Sequence, residues 1–348
     1  VSTTVPVAPG PGRTEAPERR TPAVAKARPG RPPKKSLRVR FRRDWQLLVM
    51  CIPMVLLLGI FHYVPILGYS IAFQDFSPFA YGGPLEAYLS SPWIGFTNFA
   101  DLLGDPRFWN AFQNTLVIFT VQLVFFFPLP IFLAILLNSV LSGRVRSTVQ
   151  SIVYLPHFFS WVLVVAFFQQ MLGGAGLIAQ LMRRMDTAGR WGIEPVNVMT
   201  NPDTFIALVT SQVIWKDAGW GMIVFLAALA AINPNLYEAA AADGANKWRR
   251  FWHITLPGLR PVIVLLLILR LGNALSVGFE QFLLQRDFVG AGAAEVLDTF
   301  VYFIGFRGGD YSYGAAAGLF NGVVGLILIL CANKIAHLMG EHGIYRRE

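Results

Sequence analysis

Between Trp45 and Gln74 the chain runs for 30 residues without one Asp, Glu, Lys or Arg. At about 1.5 Å of rise per residue, a helix of that length crosses a bilayer core of roughly 30 Å with room to tilt. Phe108 to Gly143 is again uncharged, and further apolar spans are expected at Gln150 to Leu172, Asp203 to Ile232, Pro261 to Leu284 and Tyr313 to Lys334. Pro128 and Pro130 predict a kink in the second, tolerated in a bundle whose neighbours satisfy the freed carbonyls. The expectation is an all-α polytopic membrane protein with six transmembrane helices. Composition agrees: 54% hydrophobic with 14% charged residues is too apolar for an ordinary soluble domain of 348 residues.

The net charge of +9 does not indicate nucleic acid, because the charges are concentrated at one end. Residues 1 to 44 hold 12 of the 29 Lys and Arg. This segment is rich in Pro, Ala, Gly and Thr, has almost no large apolar side chain before Phe41, and is expected to be a disordered, basic tail. Its charge fits a topogenic role or attraction to anionic lipid heads. With the N-terminus inside, the inner segments carry 21 Lys and Arg and the outer loops 6. Basic residues are retained on the cytoplasmic side, so both termini face the cytoplasm. Cys51 and Cys331 fall in predicted spans, and the histidines have no metal-ligand spacing. The sequence therefore predicts no metal site, no catalytic residue and no cofactor on this chain.

One polar, basic island interrupts the apolar pattern on the cytoplasmic side, at residues 233 to 260. Asn233 as N-cap and Pro234 at the first helical position start a short helix through Ala242. Asp243 and Gly244 break it, glycine supplying a left-handed residue. A second helix is expected from Asn246 to Ile254, with Trp248, Phe251 and Trp252 on one face and Pro257 and Pro261 ending it. From spacing alone this is an amphipathic interfacial hairpin or a docking surface.

The order Glu238-Ala239-Ala240, Asp243-Gly244-Ala245, Phe251 and Ile254-Thr255-Leu256-Pro257 resembles the EAA loop of ABC importer permeases. Ile214-Trp215-Lys216-Asp217 ahead of Phe225-Leu226-Ala227-Ala228-Leu229 resembles the carbohydrate branch, for oligosaccharides and polysaccharide fragments. So does Ser91-Pro92-Trp93-Ile94-Gly95 followed by Phe108-Trp109 and Asn114-Thr115-Leu116. The likeness covers residues 45 to 348, leaving 1 to 44 unmatched. It implies a cytoplasmic coupling hairpin that fits a cleft on a separate ATPase, through Glu238, Ala239, Ala240, Asp243, Gly244, Ala245 and Pro257. It also implies a second permease subunit, making a heterodimer, two ATP-binding subunits and an extracytoplasmic solute-binding protein, in the bacterial cytoplasmic membrane. Consistently, the chain has no P-loop, and the dipeptide Gly-Lys is absent.

Ionisable residues inside spans are costly unless they face a cavity or a partner. Lys216 and Asp217 fall midway along the fourth span, and Arg270 about ten residues beyond Pro261. Arg270 and Asp217 either line the transport path or pair across a helix interface. Asn273, Glu280 and Gln281 follow, with Asn273 and Glu280 expected on one face of a continuous fifth helix, where sugar hydroxyls would find hydrogen bonds. Trp93, Trp109, Trp191, Trp215 and Trp220 read as an interfacial aromatic belt, with sugar stacking as the alternative. The small residues from Gly314 to Gly318 predict close helix packing. The expected function is the permease subunit of an ATP-driven sugar importer. An ion-gradient carrier or channel is the competing class, and a membrane enzyme the third.

Overall fold

The structure is a computed structural model that describes residues 37–80, 82–140, 142–185, 197–338 and 340, with side chains from Trp45 onward. Two compact units, Val1–His62 and Tyr63–Glu348, are taken separately. In the first, the Leu37–Leu58 helix carries Pro53 inside and turns π-helical from Gly59. The helix begins ahead of Trp45, so the last residues of the expected tail, 37 to 44, are helical rather than disordered. The rest of the tail lies outside the described residues. Met50, Met54 and Leu57 are exposed along this helix, as lipid-facing side chains are.

Among the described residues, six helices are long and apolar enough to cross a membrane: Trp45–Phe73, Pro106–Asn138, Trp161–Met185, Pro202–Ala230, Lys247–Gly272 and Tyr311–Leu338. Among the described residues there is no strand, only an isolated bridge between Gln74 and Trp93. The fourth span, Pro202–Ala230, is the most buried and organises the second unit. It starts with Asn201 accepting from the Asp203 N–H at 2.9 Å and runs unbroken. At its middle the backbones come very close. A Cβ on Gly219 would lie 2.1 Å from the Val153 carbonyl oxygen, and one on Gly221 would lie 2.9 Å from the Pro130 ring. These glycines let the Gly143–Tyr154 helix and the second span pack directly on the fourth.

The neighbours of that central helix are themselves interrupted. The second span is two helices, Pro106–Phe125 and Pro128–Asn138, because Pro128 and Pro130 cannot donate within the turn at Phe126 and Phe127. Arg144 and Arg146 belong to the Gly143–Tyr154 helix. Pro156 diverts that helix into the 3₁₀ turn Leu155–Phe158, and Ser160 caps the next helix, Trp161–Leu172. By length and composition the span here is Trp161–Met185, and Val153 of the preceding helix packs against the middle of the fourth span. The third crossing therefore consists of Gly143–Tyr154 and Trp161–Leu172 with a break between them. Leu177–Met185 supplies a further short helix.

The fifth span departs furthest from expectation. Lys247–Arg250 passes through a π-helical turn, Phe251–Thr255, directly into Leu256–Gly272. The turn's longer hydrogen bonds, with the Leu256 N–H reaching the Phe251 carbonyl, absorb the donor missing at Pro257. Neither Pro257 nor Pro261 ends the helix. It ends instead at Gly272, and an irregular segment with Gly278 at φ +116° leads to the separate helix Phe279–Val289. Asn273 and Glu280 therefore do not share a helical face. In the sixth span, small residues pack as expected, and their neighbours are segments of the same chain. A Cβ on Gly314 would meet Gly305 Cα at 2.5 Å, and one on Gly325 would meet the Gly272 carbonyl at 3.1 Å.

Candidate functional site

Depth follows from helix length. Asp217 lies roughly thirteen residues before Ala230 and Arg270 roughly fourteen after Leu256, so each is about 20 Å along its helix from the island. At this level the second, third and fifth crossings break. Non-helical backbone at membrane depth persists only where protein buries it or where it lines a polar cavity. Here the breaks of the second and fifth crossings line one. Phe126, Phe127, Pro130, Asp217, Trp220, Arg270 and Asn273 contribute to a cavity of about 480 Å³. Two further cavities adjoin it. One of about 390 Å³ shares Asn273 and adds Tyr69, Ser276 and Asn321. The next, of about 450 Å³, shares Tyr69 and Gly318 with the second and adds Asp298, Tyr302 and Tyr311. The three thus lie in series, linked by the lining residues they share.

Each ionisable residue at the inner end has a defined position. Asp217 Oδ1 lies 2.8 Å from His157 Nδ1, and buried Lys216 donates from Nζ to the His157 carbonyl at 2.7 Å. Lys216 also sits over the Trp161 ring, at 5.7 Å. The His157 ring stacks on Trp220 at 4.7 Å, which fixes the indole against the cavity wall. Arg270 donates to Gln122 Oε1 at 2.8 Å and lies 5.7 Å from the Phe126 ring. Arg270 and Asp217 thus line one cavity and form no ion pair with each other among the described residues.

Gln281 sits elsewhere. It is fully buried, donating to the Val209 carbonyl at 3.0 Å and to Gln212 Oε1 at 2.8 Å, and Gln212 also exchanges bonds with Gln285. This glutamine cluster locks Phe279–Val289 to the fourth span. Glu280 is exposed on the same short helix and lines none of the three cavities. Sequence reasoning missed His157, Gln122 and Tyr69 as partners in this region. Their neighbours are distant in sequence, and only Pro156 and Pro128 marked the breaks that bring them in.

The aromatic residues divide. Trp220 lines the cavity, Trp215 stacks on Phe167 at 5.3 Å, and Trp93 stacks on Phe73 at 5.7 Å. Trp109 donates to the Leu103 carbonyl at 2.8 Å, and Trp191 lies outside the described residues.

At the island, Pro234–Ala242 is a helix with no buried residue, capped by the Asn233 side chain. Its other end closes with the Gly244 N–H on the Ala241 carbonyl at 3.1 Å and the Ala245 N–H on Ala240 at 2.8 Å. Gly244 takes the left-handed conformation this closure requires, φ +76°. Asn246 caps the next helix through the Arg249 N–H, and the Tyr237 hydroxyl meets Thr255 Oγ1 at 3.0 Å. Glu238, Ala239, Asp243, Gly244 and Pro257 are exposed, with Ala240 and Ala245 half-buried. Trp248 and Trp252 are exposed and in mutual contact at 5.7 Å.

The profile of the binding-protein-dependent transport system inner membrane component family matches residues 126–340. The chain belongs to that family. It is an ABC transporter permease of the carbohydrate branch, a multi-pass membrane protein. Among relatives of this permease is the polygalacturonan/rhamnogalacturonan transport system permease protein YteP of Bacillus subtilis (strain 168), 42% identical over 313 residues, covering 90% of this chain and 94% of that protein. The arabinooligosaccharides transport system permease protein AraP of the same organism is 30% identical over 70% of this chain and 76% of that protein. A chain of a bacterial ABC transporter that imports the acidic polysaccharide alginate superposes with a TM-score of 0.78 at 37% identity. The match spans 88% of the permease and 99% of that chain. The alginate transporter is also known in complex with a periplasmic protein bound to an alginate pentasaccharide.

Proposed function

We propose that this permease is one of two membrane subunits of an ATP-driven importer of oligosaccharides or polysaccharide fragments in the bacterial cytoplasmic membrane. An extracytoplasmic binding protein delivers the sugar, and two separate ATPase chains supply the energy. Both termini and the island face the cytoplasm, as the distribution of Lys and Arg supports. The exposed helix Pro234–Ala242 and its turn at Gly244 dock on an ATPase, through Glu238, Ala239, Ala240, Asp243, Gly244 and Ala245. Pro257 and the π-helical turn beside it carry movement into the fifth span.

The observation that carries the path assignment is the cavity at mid-depth where the broken second and fifth spans meet the unbroken fourth around Asp217, Trp220, Arg270 and Asn273. Side chains that hydrogen-bond polyols stand there beside an aromatic face, as in saccharide sites generally. Lys216 and Gln281 brace the walls, Lys216 through His157 and Gln281 through the fourth span. Nucleotide-driven closure of the ATPases alternates this path between the two membrane faces. No covalent chemistry is required of this chain.

The decisive experiment is uptake in proteoliposomes containing the complete transporter and its loaded binding protein. Accumulation must depend on ATP and be insensitive to ionophores. Uptake that persists without ATP and collapses with an ion gradient refutes the importer reading in favour of a secondary carrier.

A further inference from the structure

Three residues with charged side chains, Lys216, Asp217 and Arg270, lie at the depth of the inner cavity, and the protein engages them unequally. Asp217 and Lys216 are both engaged around His157, one through the imidazole and the other through its carbonyl. Arg270 makes no ion pair among the described residues, and its one hydrogen-bond partner is a neutral amide, Gln122 Oε1. Its Nε is buried without a partner, as is Nε2 of the adjoining Gln122. A guanidinium at membrane depth is costly to hold, and here its hydrogen bond goes to a neutral amide while the nearby carboxylate of Asp217 is bonded to His157, so a further anion would be favoured.

Its remaining donors form the planar fork that matches a carboxylate. The same wall offers the half-exposed face of Trp220 and the amide of Asn273. A sugar ring bearing a carboxylate would use all three: ring against indole, hydroxyl against amide, carboxylate against guanidinium.

Resting on the importer reading above, we propose that this cavity is a carboxylate subsite and that the transported saccharide is acidic, a chain containing uronic acid units. Arg270 receives the carboxylate, and Trp220 receives the ring that bears it. Asp217 lies on the same wall and limits how tightly the anion is held, which suits a site that must also release its cargo.

The test uses proteoliposomes holding the whole transporter and its binding protein. The probes are an oligogalacturonate of defined length and the same oligosaccharide with its carboxyls methyl-esterified, which keeps the shape and removes the charge. The binding protein is common to all variants, so its own selectivity cancels when variants are compared. Arg270→Gln is expected to lower the preference for acid over ester by about 10- to 100-fold. Arg270→Lys, which keeps the charge but loses the fork, retains part of it. ATP hydrolysis stimulated by loaded binding protein reports that each variant is assembled. An acid-to-ester preference unchanged in both variants overturns the proposal, as does wild type that carries the ester as fast as the acid. Absence of any ATP-dependent uptake by wild type overturns the importer reading and the subsite with it, a distinct failure.

Discussion

Gly244 offers a graded test of the island. A Cβ built there meets nothing within 4 Å, so the cost of any side chain comes from the backbone at φ +76° and not from crowding. An L-residue pays about 1–2 kcal/mol for the left-handed conformation, asparagine less, and a β-branched residue the most. The preceding helix Pro234–Ala242 has no buried residue and is too short to be stable alone, so little else holds the turn closed. The penalty should therefore pass directly into ATPase docking. Gly244→Asn is expected to dock nearly as wild type. Gly244→Ala should lose roughly fivefold in affinity, and Gly244→Val about 30-fold or more. Titration of the detergent-solubilised permease with its ATPase would measure this. Thermal unfolding of the membrane body should be unchanged in all three. Equal losses for Asn and Val, or none for Val, would show that docking does not depend on this turn.

Three other outcomes follow from the packing and the electrostatics. Gly219→Ala places Cβ against the Val153 backbone, which cannot rotate away, and should destabilise by about 1–3 kcal/mol despite alanine's better helix propensity. Gly221→Ala presses only on the Pro130 ring and should cost less, so equal shifts in melting temperature would contradict the packing. Burial raises the Asp298 pKa above the usual carboxylate range, opposed by the hydrogen bond from Ser276 at 2.8 Å. Its contribution to stability is thus fully present below the unfolded-state pKa of about 3.9 and is lost as pH rises through the higher folded value. Asp298→Asn should remove that loss, so a melting profile across this range that matches wild type would refute the assignment. Finally, Gln212→Ala strands the buried amides of Gln281 and Gln285 at about 1–3 kcal/mol for each unmet group, and a Gln212/Gln285 double-mutant cycle should be clearly non-additive. Strict additivity would mean the cluster does not act as a unit.

Why the bundle was legible and the site only half so comes down to which residues carry the signal. Apolar run length needs no partner to be read, and it placed the fourth span at Asp203 to Ile232 against the observed Pro202–Ala230. Local capping was equally legible, since Asn233, Pro234 and Gly244 act within a few residues of themselves. The fifth span failed for a physical reason. Leu271 to Phe279 carries no charge and keeps Leu, Val and Phe, and hydropathy does not distinguish a continuous helix from one that unwinds at Gly272 and resumes after Gly278. Pro257 and Pro261 misled in the opposite sense: Pro257 takes a first-turn position after the π-helical turn, where proline is tolerated, and the helix runs on through Pro261 inside it.

The broken fifth helix changes what Arg270 is. On a continuous span it would be one cation on a helix with Asn273 and Glu280 above it, and its natural partner would be another helix. Ending the helix two residues later turns its last turn and its side chain toward the cavity. The irregular backbone beyond it carries Asn273 and Ser276 onto the wall of the next cavity. Meanwhile the unbroken fourth span holds Asp217 against His157, because Gly219 allows the third crossing to approach that closely. The selectivity of such a path therefore depends on glycines that touch no substrate. Gly219 sets where the acid is held, and Gly272 and Gly278 set where the helix stops, leaving the guanidinium as the group with an unmet donor at the cavity wall.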